Sequence, residues 1–209
     1  MVNFILKLIV FTFALKSIIN NNQITIAILI TGTETPTIIS NNFQGIKPTK
    51  MKINNEEIKN YTNEIHLDYL ENNITIIWET TINSCKSLFQ EVKNIKFIDL
   101  SEFDSSEITD ISDMFLNCNG LESIDLTNFN TSKVKSMENT FNGCNALRTL
   151  NVSGFDTSSV ENMNSMFLFC KALTSLDLKN FNTKRVTRME NIFSRCDILE
   201  NLDLSNFDT

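Results

Sequence analysis

One period constrains this chain more than any other feature: similar side chains return every 26 residues. Phe103, Phe129, Phe155, Phe181 and Phe207 form one series at that step. Phe115, Phe141, Phe167 and Phe193 form a second. Cys118, Cys144, Cys170 and Cys196 keep the same step, as do Leu121, Leu147, Leu173 and Leu199. The pair Ile124/Leu126 returns as Leu150/Val152, Leu176/Leu178 and Leu202/Leu204, with no insertion anywhere between Phe103 and Phe207. Backward, Ile98/Leu100, Ile95, Phe89 and Ile82 still fit, while Val92 stands where the cysteine series would continue. Self-similarity at a fixed period is the signature of stacked repeats, because one such unit cannot bury its apolar face alone.

Each repeat can be read physically. Over Ser123–Thr127, apolar Ile124 and Leu126 alternate with polar Ser123, Asp125 and Thr127, the period of a strand with one buried face. Turn-favouring Asn130, Thr131 and Ser132 follow. Val134, Met137, Phe141 and Cys144 then recur at spacings of 3, 4 and 3, which predicts a short helix. Ser136 is its expected N-cap and Gly143 its expected stop. The expected fold class is an α/β solenoid, a leucine-rich-repeat-like stack of parallel strands and short helices over residues 75–209. Like residues then form columns, with coils about 4.8 Å apart at the strands. The final repeat stops after Phe207 without its helix, so the stack is expected to be truncated at its C-terminus.

Residues 20–74 lack the period and are expected to form a small β-rich N-terminal cap over the first coil. Ile24–Ile30, Met51–Ile53 and the alternation Ile65/Leu67/Tyr69 read as strands, and a turn at Glu71–Asn73 is expected to lead into Ile74–Trp78. Residues 1–19 read as a secretory signal: Lys7 closes a short basic region, an apolar run follows from Leu8 to Leu15, and cleavage falls after Ser17. The competing reading is an uncleaved anchor, against which Lys7 and Lys16 interrupt the run. Loss of the first 19 residues removes two lysines and no acid, moving the net charge from −7 to −9. Asn60, Asn73, Asn130 and Asn151 each begin an Asn-x-Ser/Thr triplet, four possible glycosylation sites that fit export.

The motif "L-x-S-L-D-L-S-N-F-D-T-S-x-V-x-x-M-x-x-M-F-x-x-C-x-A-L", best matched by Leu147–Leu173 and Leu173–Leu199, resembles the repeat of BspA-like leucine-rich-repeat surface proteins. The resemblance runs from about residue 82 to 209. Departures are Asn151 for Asp, Gly154 for Asn and Thr140 for Met. It implies a secreted or surface-displayed protein, some of whose relatives adhere to host or matrix proteins, and supplies no catalytic residues.

No enzyme is expected. Neither a Ser/His/Asp set, a glycine-rich phosphate loop nor a paired catalytic carboxylate stands out, and no cofactor is implied. With one histidine and no CxxC, metal binding is not expected. The net charge of −7 argues against a nucleic-acid partner. The cysteine column reads as buried small hydrophobes, although neighbours near 5 Å could bridge. Cys85 lies outside that column and is the best candidate for a free or intermolecular thiol. His66 reads as an exposed strand residue.

Asp99, Asp125, Asn151, Asp177 and Asp203 occupy the outward strand position of successive coils. Like charges at that spacing repel by about 0.8 kcal/mol per pair in water, tolerable on a solvated face. Two readings stand: hydrated groups bonded to neighbouring Ser and Thr, or a partner-binding face for a basic partner or Ca²⁺. The expected function is non-catalytic interaction or adhesion, with a protein or glycan ligand on the strand face. Alternatives are a self-associating coat or matrix component, and the repeat region of a longer protein with its activity beyond residue 209. The expected location is secreted or cell-surface, with membrane contact only through the signal or an attachment.

Overall fold

The computed structural model describes residues 24–31, 38–58, 71–200 and 202–208. The expected signal at 1–19, the 65–69 alternation with His66, and Asn60 lie outside the described residues.

Among the described residues six strands form one sheet: β1 (Ile24–Thr31), β2 (Lys50–Ile53), β3 (Glu56–Glu57), β4 (Glu71–Trp78), β5 (Ile95–Asp99) and β6 (Ser123–Asp125). Their order is β3-β2-β4-β1-β5-β6. β1 runs antiparallel to both β4 and β5, while β5 and β6 are parallel. The strand of the first coil is therefore not an edge: β1 takes up its free hydrogen-bonding side. β2 and β3 are joined through Asn54 and Asn55, whose φ values of 50° and 73° are those of a type I′ hairpin turn.

The turn expected at Glu71–Asn73 is instead the first part of β4. Asn72 and Asn73 pair with Ile30 and Leu29 of β1, and the Asn54 N–H donates to the Asn73 carbonyl at 2.8 Å. Pairing on both sides overrides the local turn preference of asparagine.

From Ile82 onward the 26-residue step becomes a physical stack. Ser84, Asp110, Ser136, Asn162 and Arg188 form successive parallel bridges, each to its equivalent one period on. The rings of Phe89, Phe115, Phe141, Phe167 and Phe193 stack at centroid distances of 5.8, 5.4, 5.8 and 5.7 Å. Phe103 and Phe129 stack at 5.9 Å in the second column, which Trp78 closes edge-on at 6.4 Å from Phe103. The Trp78 indole N–H is satisfied by the Ile46 carbonyl at 2.8 Å. Phe129, Phe155 and Phe181 are all buried. Burial of such columns supplies about 25 cal/mol per Å² of apolar surface, the main force holding coil on coil.

The short helix expected at Val134–Cys144 is not formed, and no helix occurs among the described residues. The segment is a run of turns whose N–H groups alternate in direction. Those of Met137, Asn139, Phe141 and Gly143 donate to Asn162, Asn164, Met166 and Leu168 in the next coil. Those of Thr140, Asn142 and Cys144 donate three residues back, to Met137, Asn139 and Phe141. Two left-handed residues per coil impose this: Asn139 at φ 54° and Gly143 at φ 76°. Their equivalents Asp113/Asn117, Ser165/Phe169 and Asn191/Arg195 are left-handed too. A left-handed residue cannot continue an α-helix. The 3-4-3 spacing thus marks inward-facing corners of a coil.

The strand ladder is shorter than expected. Among the described residues only β5 and β6 represent the Leu-x-Leu position as strands, and the bridges that persist run through Ser84–Arg188 on the turn segments.

Each coil turns three corners, all closed the same way. At the first, the side-chain oxygens of Asp99, Asp125, Asn151, Asp177 and Asp203 accept the N–H two residues on. Asp104, Asn130, Asp156 and Asn182 do so at the second. Ser84, Asp110, Ser136 and Asn162 do so at the third. Such local side-chain acceptors let a chain with few glycines turn repeatedly.

Candidate interaction face

The first corner carries the five residues that alternation placed outward. Asn151, Asp177 and Asp203 are exposed, and Asp125 is half-buried. Asp99 is not outward: it is 5% exposed, because β1 pairs across it and its carboxylate accepts the Ser101 N–H at 2.9 Å. The face therefore begins at Asp125. Short side chains flank most of it, with Thr149 and Ser175 exposed on one side and Thr127 and Ser205 on the other, and one long side chain, exposed Lys179, stands beside Asp177.

Electrostatically, these side chains are engaged at home. Asp203 has its carboxyl held below the usual carboxylate range by the Ser205 backbone N–H and hydroxyl. At the second corner Asp104 and Asp156 are lowered likewise, by the hydroxyls and N–H groups of Ser106 and Ser158. Among the described residues no group of three or more His, Cys, Asp or Glu could hold a metal ion.

Three of the four Asn-x-Ser/Thr asparagines fall on described residues, and Asn73, Asn130 and Asn151 are all exposed. The Asn130 and Asn151 side chains close corners, through the N–H groups of Ser132 and Ser153. Asn73 lies within β4.

The cysteine column is buried but not merely apolar. Each thiol donates to a phenylalanine carbonyl in the coil before: Cys118 to Phe89, Cys144 to Phe115, Cys170 to Phe141 and Cys196 to Phe167, at 2.9 to 3.2 Å. Burial pushes the Cys118, Cys144 and Cys170 thiols well above their ordinary range, and raises that of half-buried Cys196. Cys85, the candidate for a free or intermolecular thiol, is free but fully buried, and it is raised by burial as well. It occupies the column of Ile111, Met137 and Met163, one residue after the bridging Ser84. That column is core, and so is Cys85.

A further column went unseen in the sequence: Ser105, Thr131, Thr157 and Thr183, all buried. The Thr157 hydroxyl donates to the Asn182 carbonyl at 3.1 Å and accepts the Asn182 N–H at 2.7 Å. Thr183 does the same toward Asp208. A hydroxy amino acid repeated at the period, beside a buried valine three residues on, was the available signal.

No helix among the described residues is long and apolar enough to cross a membrane. No curated protein and no solved structure matches the chain. A family described as "Mycoplasma protein of unknown function, DUF285" matches residues 83–207. The matched stretch starts one residue before Ser84, where the bridge series begins, and ends on Phe207 of the phenylalanine column. Because that match spans more than half of the 209 residues, the chain belongs to the DUF285 family.

Proposed function

We propose that this chain is a secreted or cell-surface interaction protein of the BspA-like type, without catalytic activity. In this reading residues 75–209 are a leucine-rich-repeat-like solenoid, and the preceding β-rich segment caps it. The ligand is a protein or a glycan, and it docks on the face of Asp125, Asn151, Asp177 and Asp203. The observation that carries the reading is the recurrence of one polar position on four successive coils, half-buried at Asp125 and exposed at Asn151, Asp177 and Asp203. An array of equivalent positions suits extended ligands, because several weak contacts act together. The BspA-like motif supports the surface location and the adhesive role.

The test is binding of the purified chain to a panel of immobilised glycans and matrix proteins. Asp125→Lys with Asp177→Lys should weaken the strongest interaction about tenfold or more, the scale of two lost charged contacts. Asp177→Asn, which keeps the corner acceptor as Asn151 does, should leave folding intact while removing the charge. Unchanged binding by the double variant contradicts the assigned face.

A further inference from the structure

The edge formed by the second and third corners carries a charge pattern that is its own complement. In the coil of Phe103 the span 104–110 holds Asp104, Glu107 and Asp110, a charge of −3. The equivalent span 130–136 holds Lys133 and Lys135, +2. Next, 156–162 holds Asp156 and Glu161, −2. Then 182–188 holds Lys184, Arg185 and Arg188, +3. Read from either end, the series −3, +2, −2, +3 is its own negative.

All these side chains are exposed except Asp110, which is half-buried. Between them Ile108, Val134 and Val160 point inward and are buried and Val186 is half-buried, so the edge presents mostly charges, asparagines and small hydroxyl residues. Alternation alone would serve ion pairs between neighbouring coils, and two occur: Lys133–Glu107 at 2.6 Å and Arg185–Glu161 at 3.9 Å. Neighbour pairing does not explain why the outer coils carry three charges each and of opposite sign. Lys184 and Arg188 make no ion pair with any described residue.

We propose that this edge docks against the same edge of a second copy, with the two stacks antiparallel. A two-fold axis between the coils of Phe129 and Phe155 sets −3 against +3 and +2 against −2, twice over. That is an isologous interface, in which one patch meets itself. Parallel, in-register docking would face like charges at every coil. A parallel arrangement shifted by one coil leaves the outer −3 and +3 unmatched and does not close. With little apolar area to bury, the association is weak and driven by charge, hence sensitive to salt. It uses a different edge from the ligand face and stands or falls separately from the proposed function.

The test is the mass of the purified full chain by sedimentation equilibrium at about 100 μM, in low and in high salt. Expected is twice the 23.9 kDa chain mass in low salt, with the dimer dissociation constant rising about tenfold or more in 0.5 M NaCl. Lys133→Glu with Lys135→Glu should give a monomer, since −2 then faces −2. Adding Asp156→Asn, Ser159→Lys and Glu161→Lys to that variant, which turns the facing span from −2 to +2, should restore the dimer. A monomer in low salt, a mass indifferent to salt, or assemblies larger than two copies would each overturn the proposal. So would a folded Lys133→Glu/Lys135→Glu chain that remains dimeric.

Discussion

The Cys144 thiol donates to the backbone carbonyl of Phe115, one coil earlier, at 3.2 Å. The same bond recurs three more times along the stack, so cysteine here is both a small core residue and a stitch between coils. It also makes stability depend on alkali. Burial raises these thiols in the folded state, so the unfolded chain loses its thiol protons first as pH rises. Stability is therefore full below the ordinary thiol value of about 8.5 and falls above it. The expected slope approaches about 1.4 kcal/mol per pH unit for each buried thiol. Urea unfolding at pH 7.5 and 9.5 measures it; equal stability at both would contradict thiol burial.

Thiol reactivity should follow the same order. Cys196 is half-buried, while Cys85, Cys118, Cys144 and Cys170 are buried, and all five are free. A thiol reagent at neutral pH should modify Cys196 first in the native protein and all five only in denaturant. Fewer than five reactive thiols after unfolding without reductant would contradict the free state.

Thr157 bonds both the N–H and the carbonyl of Asn182 while itself 1% exposed. Thr157→Val keeps the shape and removes the partner of two Asn182 backbone groups, and should cost about 1–3 kcal/mol. Thr157→Ser retains the hydroxyl and should cost about 1 kcal/mol or less. Chemical denaturation of the two variants checks the difference, and equal losses would remove the hydroxyl from the account.

The columns of Phe, Leu, Met and Cys were legible in the sequence because one period fixes which side chains share an interior. The path of the backbone between them was not. Val134, Met137, Phe141 and Cys144 have helical spacing, yet the left-handed residues at Asn139 and Gly143 turn alternate N–H groups toward the next coil. Gly143, Asn117, Asn139 and Asn191 hint at this; Phe169 and Arg195 hold the same conformation with ordinary side chains. The burial of Asp99 depended on β1, which carries no trace of the period, and no local pattern could announce it. Cys85 looked misplaced only against the cysteine column; counted from Ser84 it falls among Ile111 and Met137.

Gly143 also has a spatial role. A Cβ there would sit 2.4 Å from the Asn117 side-chain oxygen, and the residue already lies at φ 76°. Gly143→Ala should destabilise by about 1–2 kcal/mol through left-handed strain alone, and by more if Asn117 cannot move. Arg195→Gly, at the equivalent exposed position, should be neutral or mildly stabilising. A thermal melt of each variant shows whether the sign differs as stated.

In the phenylalanine column, Phe141 lies between Phe115 at 5.4 Å and Phe167 at 5.8 Å. Phe141→Ala should cost about 3–5 kcal/mol, the range for deleting a buried aromatic ring. The most direct measurement of the stack is a ring-to-ring nuclear Overhauser spectrum of the protein with protonated phenylalanine in a deuterated background. Cross-peaks joining Phe115 to Phe141 and Phe141 to Phe167, with none joining Phe115 to Phe167, are the predicted result. Rings separated by one period that show no mutual cross-peak would contradict the account.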